Sequence, residues 1–221
     1  MSRKFTSIFR ISGHTGYDDS VNYMRNFLLT PAEQQVAFDA AWIYHKNSVI
    51  TKVMELFGAL HRELEQAPAA AFPVPCLQQG GKISKGERYK ELPYVILDYP
   101  RYFSQEAVLA FRTMFWWGHY FSCTLHLAGM VKTHYASALK AGYGMLVAHG
   151  FQVYVQDDPW MHDFENGNYR AVAAFTPQEW DTWVEQKDFI KLAKPFALEI
   201  WEKIIPEAVA CYTTLLAIIN D

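Results

Sequence analysis

Apolar and polar positions alternate most cleanly over residues 119–127. There Phe121, Cys123, Leu125 and Leu127 point one way, and Tyr120, Ser122, Thr124 and His126 the other. A period of two is the signature of a strand. The same pattern, shorter, runs over 151–156, with Phe151, Val153 and Val155 set against Gln152, Tyr154 and Gln156. Residues 94–99 form an apolar run that reads as a strand covered on both faces. Weaker signals predict further strands at 5–11 and 169–175.

Helical patterns flank this region. Asp18, Asp19 and Ser20 offer caps for a helix through Leu29. Thr30-Pro31-Ala32-Glu33 is a strong helix start, because Thr30 can cap, proline suits the first turn and Glu33 can bond back. The helix it opens should run to about Gln66, with Val36, Ile43, Ile50, Phe57 and Leu64 recurring every seven residues. A break near Asn47-Ser48 would bring it closer to ordinary helix lengths. Residues 67–75 form an Ala/Pro linker and 78–86 a glycine-containing loop. Ser104, with Glu106 in the first turn and Gly118 at the end, predicts an aromatic helix to about Trp117 with Arg112 in its middle. A second stripe, from Val131 to His149, predicts another helix. Thr176-Pro177-Gln178-Glu179 repeats the helix start, and the tail to residue 221 reads as helical, punctuated by Pro195 and Pro206.

These elements predict one α+β domain over 1–221: helices over 18–66, a strand–helix core over 92–175, and helices over 176–221. The sheet should be small and mainly antiparallel, with a short parallel βαβ unit inside 94–155 as the alternative.

Composition narrows the function. The net charge of −3 offers no basic excess for neutralising phosphates, so nucleic acid is not expected as a partner. No apolar run is long enough for a membrane span, and the N-terminus has no secretory pattern. Three cysteines without a CxxC pair read as reduced thiols, which predicts a cytoplasmic protein. Aromatics at 16% imply a heavily aromatic core or an aromatic-lined concavity. The GxGxxG, GxxxxGK[ST], GxSxG and HExxH patterns are absent, which removes the commonest dinucleotide, NTPase, hydrolase and metalloprotease readings.

Candidate chemistry gathers in 92–129. A helix-borne Arg112, if buried, needs a carboxylate, and Asp98 is the nearest in sequence. Arg101, Lys85 and Arg88 could grip an anion beside the glycine loop, although an exposed loop with Arg101 paired to Asp98 or capping a carbonyl is the commoner explanation. Trp116 and Tyr120 are stacking candidates, with core packing as the commoner use. Tyr154 would share the polar sheet face with Tyr120 and His126. His126 is the candidate general base and Asp98 the alternative acid/base. The odd separation of His119 and His126 puts them on opposite faces if both lie on the strand, so no metal ligand set is assigned and no cofactor is named.

The leading expectation is a protein that binds a small anionic or aromatic ligand in a cleft between sheet and helices. Two rivals stand beside it. One is a helix-mediated interaction protein, homodimeric through the 36–64 seam. The other is a metal-dependent hydrolase using His126 with His149, His162, Asp157 or Asp163.

Overall fold

The computed structural model describes residues 27–67 and 79–220. The strand expected at 5–11, most of the helix expected from Asp18 and most of the 67–75 linker lie outside them. The chain forms two compact units, 1–47 and 48–221.

In the first unit, α1 (Pro31–Ala37) carries the expected capping box. Glu33 N donates to Thr30 Oγ1 at 3.2 Å, and Thr30 N donates to Glu33 Oε2 at 2.6 Å. The long helix expected from residue 31 breaks at 38–40, not at 47–48. Asp39 Oδ1 accepts the amide of Ala41 at 2.9 Å, and this local side-chain bond starts α2 (Ala41–Gln66). Val36 and Ile43 are exposed.

In the second unit the rest of α2 buries Ile50, Val53, Phe57, Leu60 and Leu64, spaced three and four apart along one stripe. This half of the seven-residue seam is therefore covered by its own chain.

The second unit is an α+β fold built on a seven-stranded antiparallel sheet. Its strands are β1 (Lys82–Tyr89), β2 (Leu92–Phe103), β3 (Ala107–Trp116), β4 (Tyr120–Ala128), β5 (Gln152–Tyr154), β6 (Tyr169–Ala171) and β7 (Phe189–Ala197), in the order β1-β2-β3-β4-β7-β5-β6. The helices are α3 (Gly129–Ala141), α4 (Tyr143–Ala148), α5 (Pro177–Gln186) and α6 (Ile204–Asn220). Among the described residues no helix is long and apolar enough to cross a membrane.

Three strands were hidden from the sequence. The aromatic helix expected over 104–117 is strand β3, and Arg112 stands on it. Ser104 does not cap a helix. Its hydroxyl oxygen accepts from Ala107 N at 3.0 Å and closes the β2–β3 turn. Both faces of β3 are covered, so Leu109, Phe111 and Phe115 on one side and Ala110, Met114 and Trp116 on the other are all buried, and the period-two signal vanishes. β7 was lost in the supposedly helical tail for the same reason. Pro195 sits in β7 beyond its pairing with β5, where no second neighbour needs its amide. β1 replaces the expected loop at 78–86; it is an edge strand with exposed Lys82, Lys85, Glu87 and Arg88. A Cβ at Gly86 would lie 2.5 Å from the Tyr94 ring, which explains the glycine.

The remaining expectations place well. β4 shows the alternation read from the sequence. Gly129 ends it with φ of +60° and with Glu106 O only 1.9 Å from where a Cβ would stand. The helical stripe after Val131 is divided at Gly142, between α3 and α4. The strand expected at 169–175 shortens to β6, followed by a 3-10 turn at Val172–Ala174. Thr176 and Glu179 form a second capping box at α5.

The sheet separates two environments. One face carries Leu109, Phe111, Phe121, Cys123, Leu125, Leu127 and Leu192 into a large apolar core with α2, α3, α5 and α6. The other carries Asp98, Arg112, Thr124, His126 and Lys191, and residues of the 155–168 segment make contacts across it.

Candidate functional site

Strand register builds the site. Asp98 pairs with Arg112 and Arg112 with Thr124, while Ala110 pairs with His126 and His126 with Lys191, so these side chains stand in two adjacent rows across β2, β3, β4 and β7. Arg112 grips Asp98 with two bonds, Nε to Oδ1 at 2.7 Å and Nη2 to Oδ2 at 2.8 Å. This fork-on-carboxylate geometry is the strong form of the ion pair. The remaining arm, Nη1, lies 2.8 Å from His162 Nε2. A guanidinium only donates, so His162 Nε2 accepts and the ring carries its proton on Nδ1. Burial, reinforced by Arg112 and Lys191, holds the His162 imidazole neutral, well below its ordinary pKa.

His126 is 6% exposed, and its Nε2 is buried without a hydrogen-bond partner. Burial first, then the charges of Lys191 and Arg112, lower its pKa to about 3. Lys191 is 1% exposed. Its ammonium donates to Pro159 O at 2.9 Å and to Met161 O, and lies 4.5 Å from the Tyr154 ring centroid. Burial, with the Arg112 charge, brings it down to about 7. Among the described residues no ion pair contains Lys191.

The 155–168 segment is tied down at its other end too. Tyr89 Oη donates to Asp163 Oδ2 at 2.8 Å and accepts from the amides of His162 and Asp163. Burial is the main reason that the Tyr89 hydroxyl is pushed up to about 12. Asp163 is fully buried; burial alone would raise its pKa, but bonds from Lys90 and Tyr89 hold it below the usual carboxylate range. Tyr120 Oη accepts from Phe164 N at 3.0 Å.

Two spaces adjoin His126. An enclosed cavity of about 10 Å³ is lined by Phe103, Ala110, Arg112, Thr124, His126, His162 and Lys191. A more open cleft of about 420 Å³ lies at the end of the sheet, where His126 and Val108 meet Gly129, Lys132 and Thr133 of α3, Trp160, and Lys187, Asp188 and Phe189. The Trp160 ring approaches His126 edge-on, with 5.8 Å between centroids. Ala128 caps α3 without a side-chain bond.

The sequence candidates divide accordingly. His126, Asp98 and Arg112 share one region of the sheet face, and Tyr154 borders it with its ring 4.5 Å from the Lys191 ammonium. Trp116 and Tyr120 lie on the same face but in a separate aromatic cluster; Trp116 is 1% exposed and covered by Tyr89 and His119. Arg101 stands apart, with Nε donating to Gly80 O and Nη2 to Gln79 O. Lys85 and Arg88 are exposed on β1. His119 is not on the strand: it lies in the turn before β4 and stacks at 3.6 Å on Trp116, which is on the His126 face. The opposite-face expectation for the two histidines is therefore corrected. Among the described residues no group of three or more His, Cys, Asp or Glu could hold a metal. His162 was expected only as a metal partner of His126, and Lys191 was not a candidate. The signal for His162 was available: Trp160, Met161 and Phe164 around it mark a segment that must be partly covered. Compared with protein-family models, curated proteins and solved structures, the chain matches none.

Proposed function

We propose that this chain binds a small organic anion with a flat apolar body in the cleft beside His126. The observation that supports it is the lining itself. Val108, Trp160 and Phe189 supply apolar walls, and Lys132 and Lys187 supply positive charge at the mouth of α3. Its volume of about 420 Å³ is in the range of small-molecule sites. The N-terminal end of α3 adds a partial positive charge that favours an anionic group. Glu185 and Asp188 also line the cleft and would disfavour a ligand with more than one negative charge.

His126 forms part of the floor. With its pKa near 3 it is a neutral imidazole and a weak base, so its role in this reading is to hold a ligand rather than to abstract a proton. Asp98 is committed to Arg112.

The test is titration calorimetry of the full chain with benzoate and 2-naphthoate in chloride-containing buffer. Saturable binding is expected, weakened about tenfold in Trp160→Ala, equivalent to about 1.4 kcal/mol. Trp160 is 53% exposed, so the substitution should leave the fold intact. Absence of binding, or equal affinity in W160A, would sink the proposal.

A further inference from the structure

Lys191 poses a problem of charge. A buried ammonium is costly without a counter-charge. Its partners are two carbonyls and a tyrosine ring, and among the described residues no carboxylate is in contact with it. Arg112 beside it is already neutralised by Asp98. Asp158 and Asp163 act on Lys191 only at longer range. Whenever Lys191 is protonated, the region therefore holds one excess positive charge in a place that water barely reaches.

The enclosed cavity of about 10 Å³ lies against that charge, with room for one water-sized guest. Its wall is rich in donors. Lys191 has three N–H groups and gives two to Pro159 O and Met161 O. Arg112 has five and gives two to Asp98 and one to His162. His126 lines the cavity with a buried Nε2 that has no partner, and the neutral ring can carry its proton there. Thr124 adds a hydroxyl. His162 Nε2 is already an acceptor toward Arg112 and does not compete for a donor.

We infer that this cavity is a site for a single monatomic anion of the halide class, with chloride as its ordinary occupant. The anion would sit among Lys191, Arg112, His126 and Thr124 as the counter-ion that the described residues do not supply. An organic carboxylate is too large for the enclosed space, so this site is separate from the cleft and stands whether or not the cleft is filled.

Chloride-35 NMR of the full chain tests the inference. Wild type in sodium chloride should broaden the chloride line in proportion to protein concentration, and bromide should reverse the broadening. Lys191→Met, which removes the charge, and Ala110→Val, which fills the cavity from an apolar wall position, should each lose that excess linewidth. Thermal melts should agree, with the wild-type Tm about 5–10 °C higher at a hundredfold excess of chloride over its Kd than in gluconate of equal ionic strength. Crystals grown in bromide should show one anomalous peak beside Lys191. Wild type without excess broadening, or an ordered water and no bromide peak in the cavity, would overturn the inference. Failure of the carboxylates in calorimetry with a positive chloride result removes only the cleft reading, and the converse removes only this one.

Discussion

The two faces of the sheet solve the problem of burial differently. On the helix-covered face Phe111, Leu125 and Leu192 interlock with α2, α3, α5 and α6 through contacts that are non-directional. On the other face Asp98, His126 and Lys191 are buried and Arg112 and His162 partly so, and the bonds that Asp98, Arg112, His162 and Lys191 make each have a set direction and a named partner. The first face supplies stability. The second spends part of it to hold charged groups next to a small enclosed space, which is how binding sites are commonly made.

The contrast can be broken from either side. The largest effect is expected from Phe111→Ala. Phe111 is 1% exposed and its ring lies 5.0 Å from that of Tyr212, so truncation should cost about 4 kcal/mol in urea unfolding. A cost below about 1 kcal/mol would mean that this face is not a packed core. Next comes Asp98→Ala, which leaves the Arg112 charge partly buried and unpaired at a cost of about 3 kcal/mol. The double variant D98A/R112M removes both charges and should recover most of that loss. A double variant as unstable as D98A alone would show that the pair itself, not the stranded charge, supports the fold.

The smallest effect concerns pH. His126 takes up a proton near pH 3 when folded, but near its ordinary value of about 6.5 when unfolded. Between those values the unfolded chain holds the extra proton. The contribution is fully present above the unfolded value and is lost as pH falls toward the folded one. Unfolding free energy should thus decline by about 1.4 kcal/mol per pH unit for this group below about pH 6.5. His162, also held neutral by burial, adds a similar slope of its own. His126→Phe should remove the His126 share and retain the rest. Identical slopes in the two proteins, measured by urea unfolding between about pH 5 and pH 7, would refute the assignment.

How far the sequence foretold this follows from which residues face two environments. β4 was readable because one of its faces is apolar and the other polar. β3 and β7 are covered on both faces, and a short apolar run gives no period by which to tell strand from helix. The Asp98–Arg112 pair was readable even with Arg112 on the wrong element, because a buried guanidinium needs a carboxylate wherever its backbone runs. The bonds of Lys191 and His162 were not, since their partners are carbonyls and a guanidinium brought in by long-range folding, although the apolar residues around His162 mark its segment as partly covered. The capping boxes at Thr30 and Thr176 were read correctly because four consecutive residues determine them.

The two margins of the sheet carry one more consequence. β1 presents Lys82, Lys85, Glu87 and Arg88 to solvent, and its pairing register shifts between Gly86 and Tyr89. At the opposite margin β6 is only three residues long, and the Arg170 guanidinium folds 4.0 Å over the Phe175 ring just beyond it. An incoming strand from another molecule would meet desolvated charge and an irregular ladder at one side, and almost no ladder at the other. Charged, irregular or very short borders of this kind disfavour the strand-to-strand addition between molecules that so aromatic a sequence would otherwise invite.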